Sequence, residues 1–307
     1  MFAIKARLQH LIEAPGNLIR NLKYLARNNL YAKETELVVR IQDETIENCV
    51  YEIDDAKSKL KRLKVCDGLE SITKLESEPK SFSRYGDGEI ALIMGYGIPF
   101  QKYDKRLADR LIEILNHRRY DLYVGIPHYY FHTVLNLPES SKIFCRLTNI
   151  KNRRIVLKYC DPEAVYLDSL CLLGYFMNDN LDEYKKLCDR KRNLFKGRKI
   201  AIVSGQNVLE KLEHDIFELA RCKIQIHAPA LHAFGEYDLI LNKIKSQVPK
   251  DYLICLVLGP TATVMAAELA ELGYTAWDTG HIAKDYNAFM TLLDKSEYNN
   301  KRFWQPD

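Results

Sequence analysis

The chain has no apolar run of the roughly 18 residues that a membrane span needs. Its most apolar stretch, IALIMGYGIPF, is short and broken by glycines. The N-terminus MFAIKARLQHLIEAPG is interrupted by Lys5, Arg7 and Glu13, so it has no secretory signal core. No two of the eight cysteines stand at C-x-x-C spacing. Zinc and dithiol redox chemistry are therefore not indicated, and the scatter suits a reducing, cytoplasmic compartment with the thiols as small buried hydrophobes. With only 14 glycines and 10 prolines, the chain is neither fibrous nor of low complexity. A net charge of +4, from 45 basic and 41 acidic residues, gives no reason to expect a nucleic-acid partner. No fixed-period repeat is visible, and no G-K-[ST] follows any Gly turn. What remains is 307 residues, 47% hydrophobic, which is enough for one large globular domain or two small ones.

Residues 1–70 differ from the rest and read as a helical N-terminal extension. Up to Lys33 there are six basic residues and one acid, Glu13. Two short amphipathic helices, broken near Pro15 and Gly16, are expected there. Two uses stand for them: a solvated face packed on the main domain, or peripheral contact with the inner face of an anionic membrane. Val39, Ile46, Ile53 and Leu60 recur every seven residues, with Cys49, Ala56 and Leu63 three later. Gln42 breaks that second series. The pattern over 39–63 fits a coiled-coil homodimer as well as a single helix packed on its own domain.

Residues 71–307 read as the chemical domain. SFSRY, DLYVGIP, RRIVLKY, KIAIVSG, KIQIHAP, LICLVLGP and YTAWDTGH are strand-like runs. Helical patterns are expected between many of them: from Asp104, after KIAIVSG as far as Arg221, over EYDLILNKIKSQV and over TATVMAAELAEL. Alternating strands and helices imply an α/β, Rossmann-like, mostly parallel sheet with helices on both faces. Ligands bind such sheets at the carboxyl ends of the strands.

Three clusters follow predicted strands. Arg84-Tyr85-Gly86-Asp87-Gly88-Glu89 puts two carboxylates two residues apart. In extended backbone they point the same way and suit a hard divalent cation, while a polar turn is the plainer use. Gly259-Pro260-Thr261-Ala262-Thr263 opens a helix, whose unpaired N–H groups and dipole favour an anion such as a diphosphate, while a strand-to-helix turn with Thr as the N-cap is the plainer use. Asp278-Thr279-Gly280-His281, followed by Asp285, ends the last strand. There His281 can ligate a metal, bond a phosphate, shuttle a proton or serve the fold alone.

Taken together, FSRYGDGEIALIMGYGIPFQ, RKIAIVSGQ and LGPTATVMAAELAELGYTAWDTGHIAKDY resemble the bacterial glycosyltransferases of the GT-D fold, long carried as a family of unknown function. The resemblance runs from Phe82 to Tyr286, in the family's order. It implies a Rossmann-like enzyme that moves a hexose from a nucleotide-sugar, usually UDP-linked, with Mn²⁺ or Mg²⁺. Its D-x-E motif matches Asp87 and Glu89, and His281 joins them as a metal ligand. Arg84, Gly86, Gly88, Gly259, Pro260, Thr261, Ala262, Thr263, Asp278 and Gly280 fall on the donor side. Asp87, Glu89, Asp285 and His281 are the catalytic candidates. The proton acceptors, in falling order, are Asp285, Glu89 and His281. This chain has Ala283 where the family often has an acid, and Asp285 where it often has Glu. The implied acceptor is a surface polysaccharide or glycoprotein glycan. The alternatives are a nucleotide-sugar-binding module without transfer activity and a metal-dependent phosphohydrolase.

Overall fold

The computed structural model describes residues 62–294 apart from 79, 117–120, 135–136 and 207–208. The basic helices expected before Lys33 and nearly all of the heptad run 39–63 lie outside the described residues.

The first half of the domain runs β1 (Lys64–Val65), α1 (Gly68–Ser77), β2 (Ser81–Arg84), α2 (Asp87–Ile93), α3 (Lys105–Asn116), β3 (Leu122–Ile126), α4 (Glu139–Tyr159), β4 (Val165–Asp168) and α5 (Leu181–Asn193). The second runs β5 (Lys199–Gly205), β6 (Cys222–Ala228), α6 (Tyr237–Gln247), β7 (Leu253–Val257), α7 (Pro260–Glu271), β8 (Thr275–Asp278) and α8 (Ile282–Met290). The eight strands form one sheet in the order β1-β4-β3-β2-β8-β7-β5-β6. Every pair is parallel. β1 lies within the stretch assigned to the extension, so the domain begins before residue 70.

Both faces of the sheet are covered, as its apolar strands require. Alternate residues of each strand point to opposite faces. Ile200, Ile202, Leu253, Cys255 and Trp277 share a core with Ile72 of α1, Tyr184 of α5 and Tyr286 of α8. Ala201, Val203, Ile254, Leu256 and Ala276 pack instead with Ile240 of α6 and Met265 of α7. The cysteines of the described residues are free thiols, and all but Cys222 are buried.

Two expected elements are different. RRIVLKY is the last part of the helix α4, not a strand. Asn149, Asn152, Arg153, Val156 and Cys160 are buried along it at spacings of one, three and four, as one helix face requires. The helix expected after KIAIVSG is absent among the described residues of 206–221, which form turns. There side chains take the backbone groups a helix would use: Asn287 Oδ1 accepts from Glu213 N and His214 N at 2.9 and 3.0 Å, and Asp215 accepts from Phe217 N at 2.8 Å.

The two halves of the sheet, β1 to β4 and β5 to β8, meet where β2 pairs with β8, Phe82 beside Trp277. Their carboxyl ends therefore share one crevice.

Candidate active site

At this junction β2 delivers Arg84, β8 delivers Asp278, and β7 leads into α7. Thr263 ties the three together: its hydroxyl lies 2.9 Å from the carbonyl oxygen of Arg84 and 3.0 Å from Asp278 Oδ2. Ser83 on β2 donates to the carbonyl of Thr263 at 2.7 Å. The start of α7 is thus fixed against both strand ends. Gly259, just before α7, has φ +55°, a left-handed value that favours glycine. Pro260 fills the first helical position, where its missing N–H costs nothing. The Thr261 hydroxyl is fully buried and has no hydrogen-bond partner within the described protein.

Arg84 points across the crevice. Its Nε donates to the carbonyl of Ser169 at 2.5 Å, and its Nη1 stands 3.7 Å from Asp278 Oδ1. Asp278 also accepts from the N–H of Gly280 at 3.1 Å.

Asp87 and Glu89 open α2 as its first and third residues. They are not in extended backbone, so the geometric reason for their pointing the same way does not hold. On a helix, residues two apart do not face each other. Glu89 turns back to accept from the N–H of Gly86 at 2.8 Å, and Asp87 is exposed at the mouth. Asp87 and Glu89 therefore contribute from different sides of one helix start.

The electrostatics are those of crowded carboxylates. Burial, reinforced by the charge of Asp278, pushes Glu89 up to about 7, against the Gly86 hydrogen bond. Burial raises Asp278 to about 6 despite the Arg84 guanidinium and the Thr263 hydroxyl. Asp87, though exposed, is raised by partial desolvation at the helix start. Carboxyl groups held above their ordinary range in one crevice form a site that a cation would relieve.

His281 is at the start of α8, its ring 5.8 Å from that of Phe100. Burial, with the charges of Lys284 and Arg84, lowers it to about 3. It is therefore a neutral imidazole at physiological pH and a weak proton acceptor.

Asp285 belongs elsewhere. It is 1% exposed and accepts from the N–H groups of Gly174 and Tyr175, both at 3.1 Å, and from the Tyr184 hydroxyl. Lys191, also buried, stands 3.8 Å from it. A carboxylate enclosed in this way holds the loop after β4 and has no opening toward an acceptor hydroxyl, so the leading candidate for the base is corrected to a structural anchor.

Two residues beside the cluster went unread in the sequence. Asp168 ends β4, accepts from His128 N and Leu170 N, both at 3.1 Å, and is raised by burial to about 6, partly offset by those bonds and by Arg84. Its strand VYLD shows the same signal as TAWD, a short apolar run ending in Asp. Phe100 lies near Gly259 and His281; it belongs to the block FSRYGDGEIALIMGYGIPFQ, but nothing in its residue type pointed to the site.

The donor set fits a hard cation of the Mg²⁺ or Mn²⁺ kind. Such ions are commonly held by one or two carboxylates plus substrate phosphates, with no cage built by the protein alone. Among the described residues, no three His, Cys, Asp or Glu side chains group as a ready-made metal site.

The sequence model of the family described as "Glycosyltransferase GT-D fold" matches residues 82–303. The chain is 29% identical over 237 residues to the Probable glycosyl transferase Gly of Streptococcus gordonii, covering 72% of this chain and 32% of that protein. It is 25% identical over 223 residues to Glycosyltransferase GlyD of Streptococcus pneumoniae serotype 4, covering 72% and 27%. The chain thus spans about a third or less of the length of these curated relatives. A solved structure described as "The highly conserved domain of unknown function 1792 has a distinct glycosyltransferase fold" aligns with a TM-score of 0.71 and 28% identity, over 80% of this chain and 84% of that one. Another, "A New Glycosyltransferase (DUF1792) from Streptococcus sanguinis", aligns at 0.70 with 25% identity, over 75% and 85%.

Proposed function

Because the chain belongs to the GT-D glycosyltransferase fold family, we propose that it is a glycosyltransferase taking a hexose from a nucleotide-sugar, UDP-linked, with a divalent cation. The observation that carries this reading is the meeting of Arg84, Asp278 and the start of α7 at the β2–β8 junction, with Glu89 near enough to feel the charge of Asp278. An anion and a cation are both favoured there, as a metal-bound diphosphate requires.

In this reading the donor diphosphate rests at the N–H groups opening α7 and beside the Arg84 guanidinium. Gly259 and Gly280 let backbone and ligand approach closely. Asp87 and Glu89 would hold Mn²⁺ or Mg²⁺, with diphosphate oxygens and water as further ligands. When bound, that ion supplies Lewis-acid neutralisation of the charge on the departing nucleoside diphosphate. His281, neutral and at the same strand end, serves as a ligand or hydrogen-bonding group. If the transfer inverts, a base must take the proton of the acceptor hydroxyl. Of the three candidates only Glu89 is a carboxylate in the cluster, and it could take that proton only where it is not itself a ligand of the ion, since a bound cation would hold it ionised and weakly basic.

The acceptor implied by the family resemblance, a surface polysaccharide or glycoprotein glycan, belongs to this proposal, as does action at the cytoplasmic side of a membrane. The test is incubation of the full chain with a panel of nucleotide-sugars, Mn²⁺ and candidate glycans. Acceptor-dependent release of nucleoside diphosphate supports the transferase. Acceptor-independent cleavage indicates a phosphohydrolase, and binding without turnover a donor-binding module.

A further inference from the structure

The helix α4 carries a face that the transfer chemistry does not use. Between residues 140 and 160 the sequence has six basic residues and no acid, a local charge larger than the +4 of the whole chain. Arg153 is buried, its Nε donating to the carbonyl of Tyr130 at 2.6 Å, so it serves the fold. Lys151, Arg154 and Lys158 are exposed. So are two large apolar side chains, Ile143 at 55% and Phe144 at 42%. At 3.6 residues per turn, these five positions fall within an arc of about 100° on one side of the helix. Tyr96, 59% exposed, extends the same surface: the ammonium of Lys151 lies 5.0 Å from its ring centroid.

The mixture selects among partners. A soluble polyanion rewards the cations but gives Ile143 and Phe144 nothing. A protein interface rewards the apolar pair but disfavours uncompensated lysines. The headgroup layer of an anionic membrane rewards both, since apolar side chains enter the acyl boundary while Lys and Arg meet phosphate. Among the described residues no helix is long and apolar enough to cross a membrane, so the contact would be peripheral.

We propose that the exposed face of α4, from Ile143 and Phe144 to Lys158, docks on an anionic lipid surface. α4 packs on the 128–130 turn that follows β3 and on α2, whose first turn carries Asp87 and Glu89. Its apolar end, Ile143 and Phe144, belongs to the turns nearest the carboxyl edge of the sheet. The docking does not depend on the transfer reaction, and it is separate from any membrane role of residues 1–33.

The test is co-sedimentation of the full chain with vesicles of phosphatidylcholine alone and of phosphatidylcholine with phosphatidylglycerol. The natural chain is expected on the anionic vesicles only. The triple substitution Lys151→Glu, Arg154→Glu, Lys158→Glu should lower its partition at least about tenfold. The pair Ile143→Ser, Phe144→Ser should lower it severalfold. Both variants change exposed positions and should keep the natural melting temperature, which is measured on the same preparations. The proposal is overturned if the natural chain does not prefer anionic vesicles, or if both variants partition as it does. It is also overturned if only the charge variant loses binding, because the surface then takes a soluble polyanion.

Discussion

Gly280 is what allows Arg84 to reach Asp278. A Cβ at position 280 would collide with the Arg84 guanidinium, and the backbone there has φ +51°. Gly280→Ala should therefore displace Arg84 as well as strain the turn. Gly273→Ala is the matched control, since Gly273 has φ +77° and no heavy atom within 4 Å of where its Cβ would stand. Both substitutions should lower the melting temperature by an amount worth about 1–2 kcal/mol. Only Gly280→Ala should also weaken UDP binding, by roughly tenfold or more, as loss of a charge-assisted hydrogen bond predicts. Equal UDP affinity in the two variants would remove Arg84 from the diphosphate.

Glu89 makes stability depend on pH in a predictable direction. Its folded pKa, about 7, lies above its ordinary 4.5, so the folded protein binds a proton that the unfolded chain releases between those values. This group therefore costs stability above pH 7, and the cost disappears as pH falls toward 4.5. In chelator, Glu89→Gln should raise the melting temperature at pH 8 by an amount corresponding to roughly 1–3 kcal/mol, the shift being discounted for partial exposure. At pH 4.5 the two proteins should melt together. A variant that is less stable at pH 8 contradicts the crowded-carboxylate description.

Asp285 should behave as an anchor. Asp285→Ala leaves the buried Tyr184 hydroxyl without its acceptor and buried Lys191 without its counter-charge, a loss of about 3–5 kcal/mol for a broken buried pair. Lys191→Met should also destabilise, and the two effects should not add. Thermal melts of both variants and the double variant measure this. A large loss of turnover in Asp285→Asn with an unchanged melting temperature would return Asp285 to the chemistry.

His281 is lowered to about 3 by burial, so the unfolded chain takes up a proton between pH 6.5 and 3 that the folded protein does not. Stability contributed by keeping it neutral is present above pH 6.5 and falls away below it. His281→Gln should blunt that acid loss. If His281 binds metal or phosphate, the same variant should lose donor affinity, partly restored by excess Mn²⁺. A change in melting alone would confine it to the fold.

Much of the sheet was legible because buried parallel strands read as short apolar runs bounded by Gly or Pro, and KIAIVSG, LICLVLGP and YTAWDTGH are such runs. RRIVLKY was misread because a short β-branched run looks alike on a strand and on the buried face of a long helix. Of the three clusters expected at strand ends, the structure brings Arg84, Asp278 and Thr263 together. The local geometry of Asp87 and Glu89 was missed, although G-D-G-E carried the signal: an acid at the third helical position reaching back to the residue before the helix. Asp285 could not be judged from sequence, because Gly174, Tyr175, Tyr184 and Lys191, which enclose it, come from a stretch without clear periodicity.

The proposed transfer depends on a nucleoside diphosphate held through a divalent cation at Asp87. Isothermal titration of UDP into the natural chain and into Asp87→Asn, each with Mn²⁺ and with chelator, tests it directly. Asp87 is exposed at the first position of α2, so the variant should fold with nearly the natural melting temperature. UDP should bind the natural chain with Mn²⁺, chelator should abolish most of that affinity, and Asp87→Asn should show no gain from Mn²⁺. Metal-dependent affinity unchanged in Asp87→Asn, or UDP affinity in the natural chain that is indifferent to Mn²⁺, would contradict it.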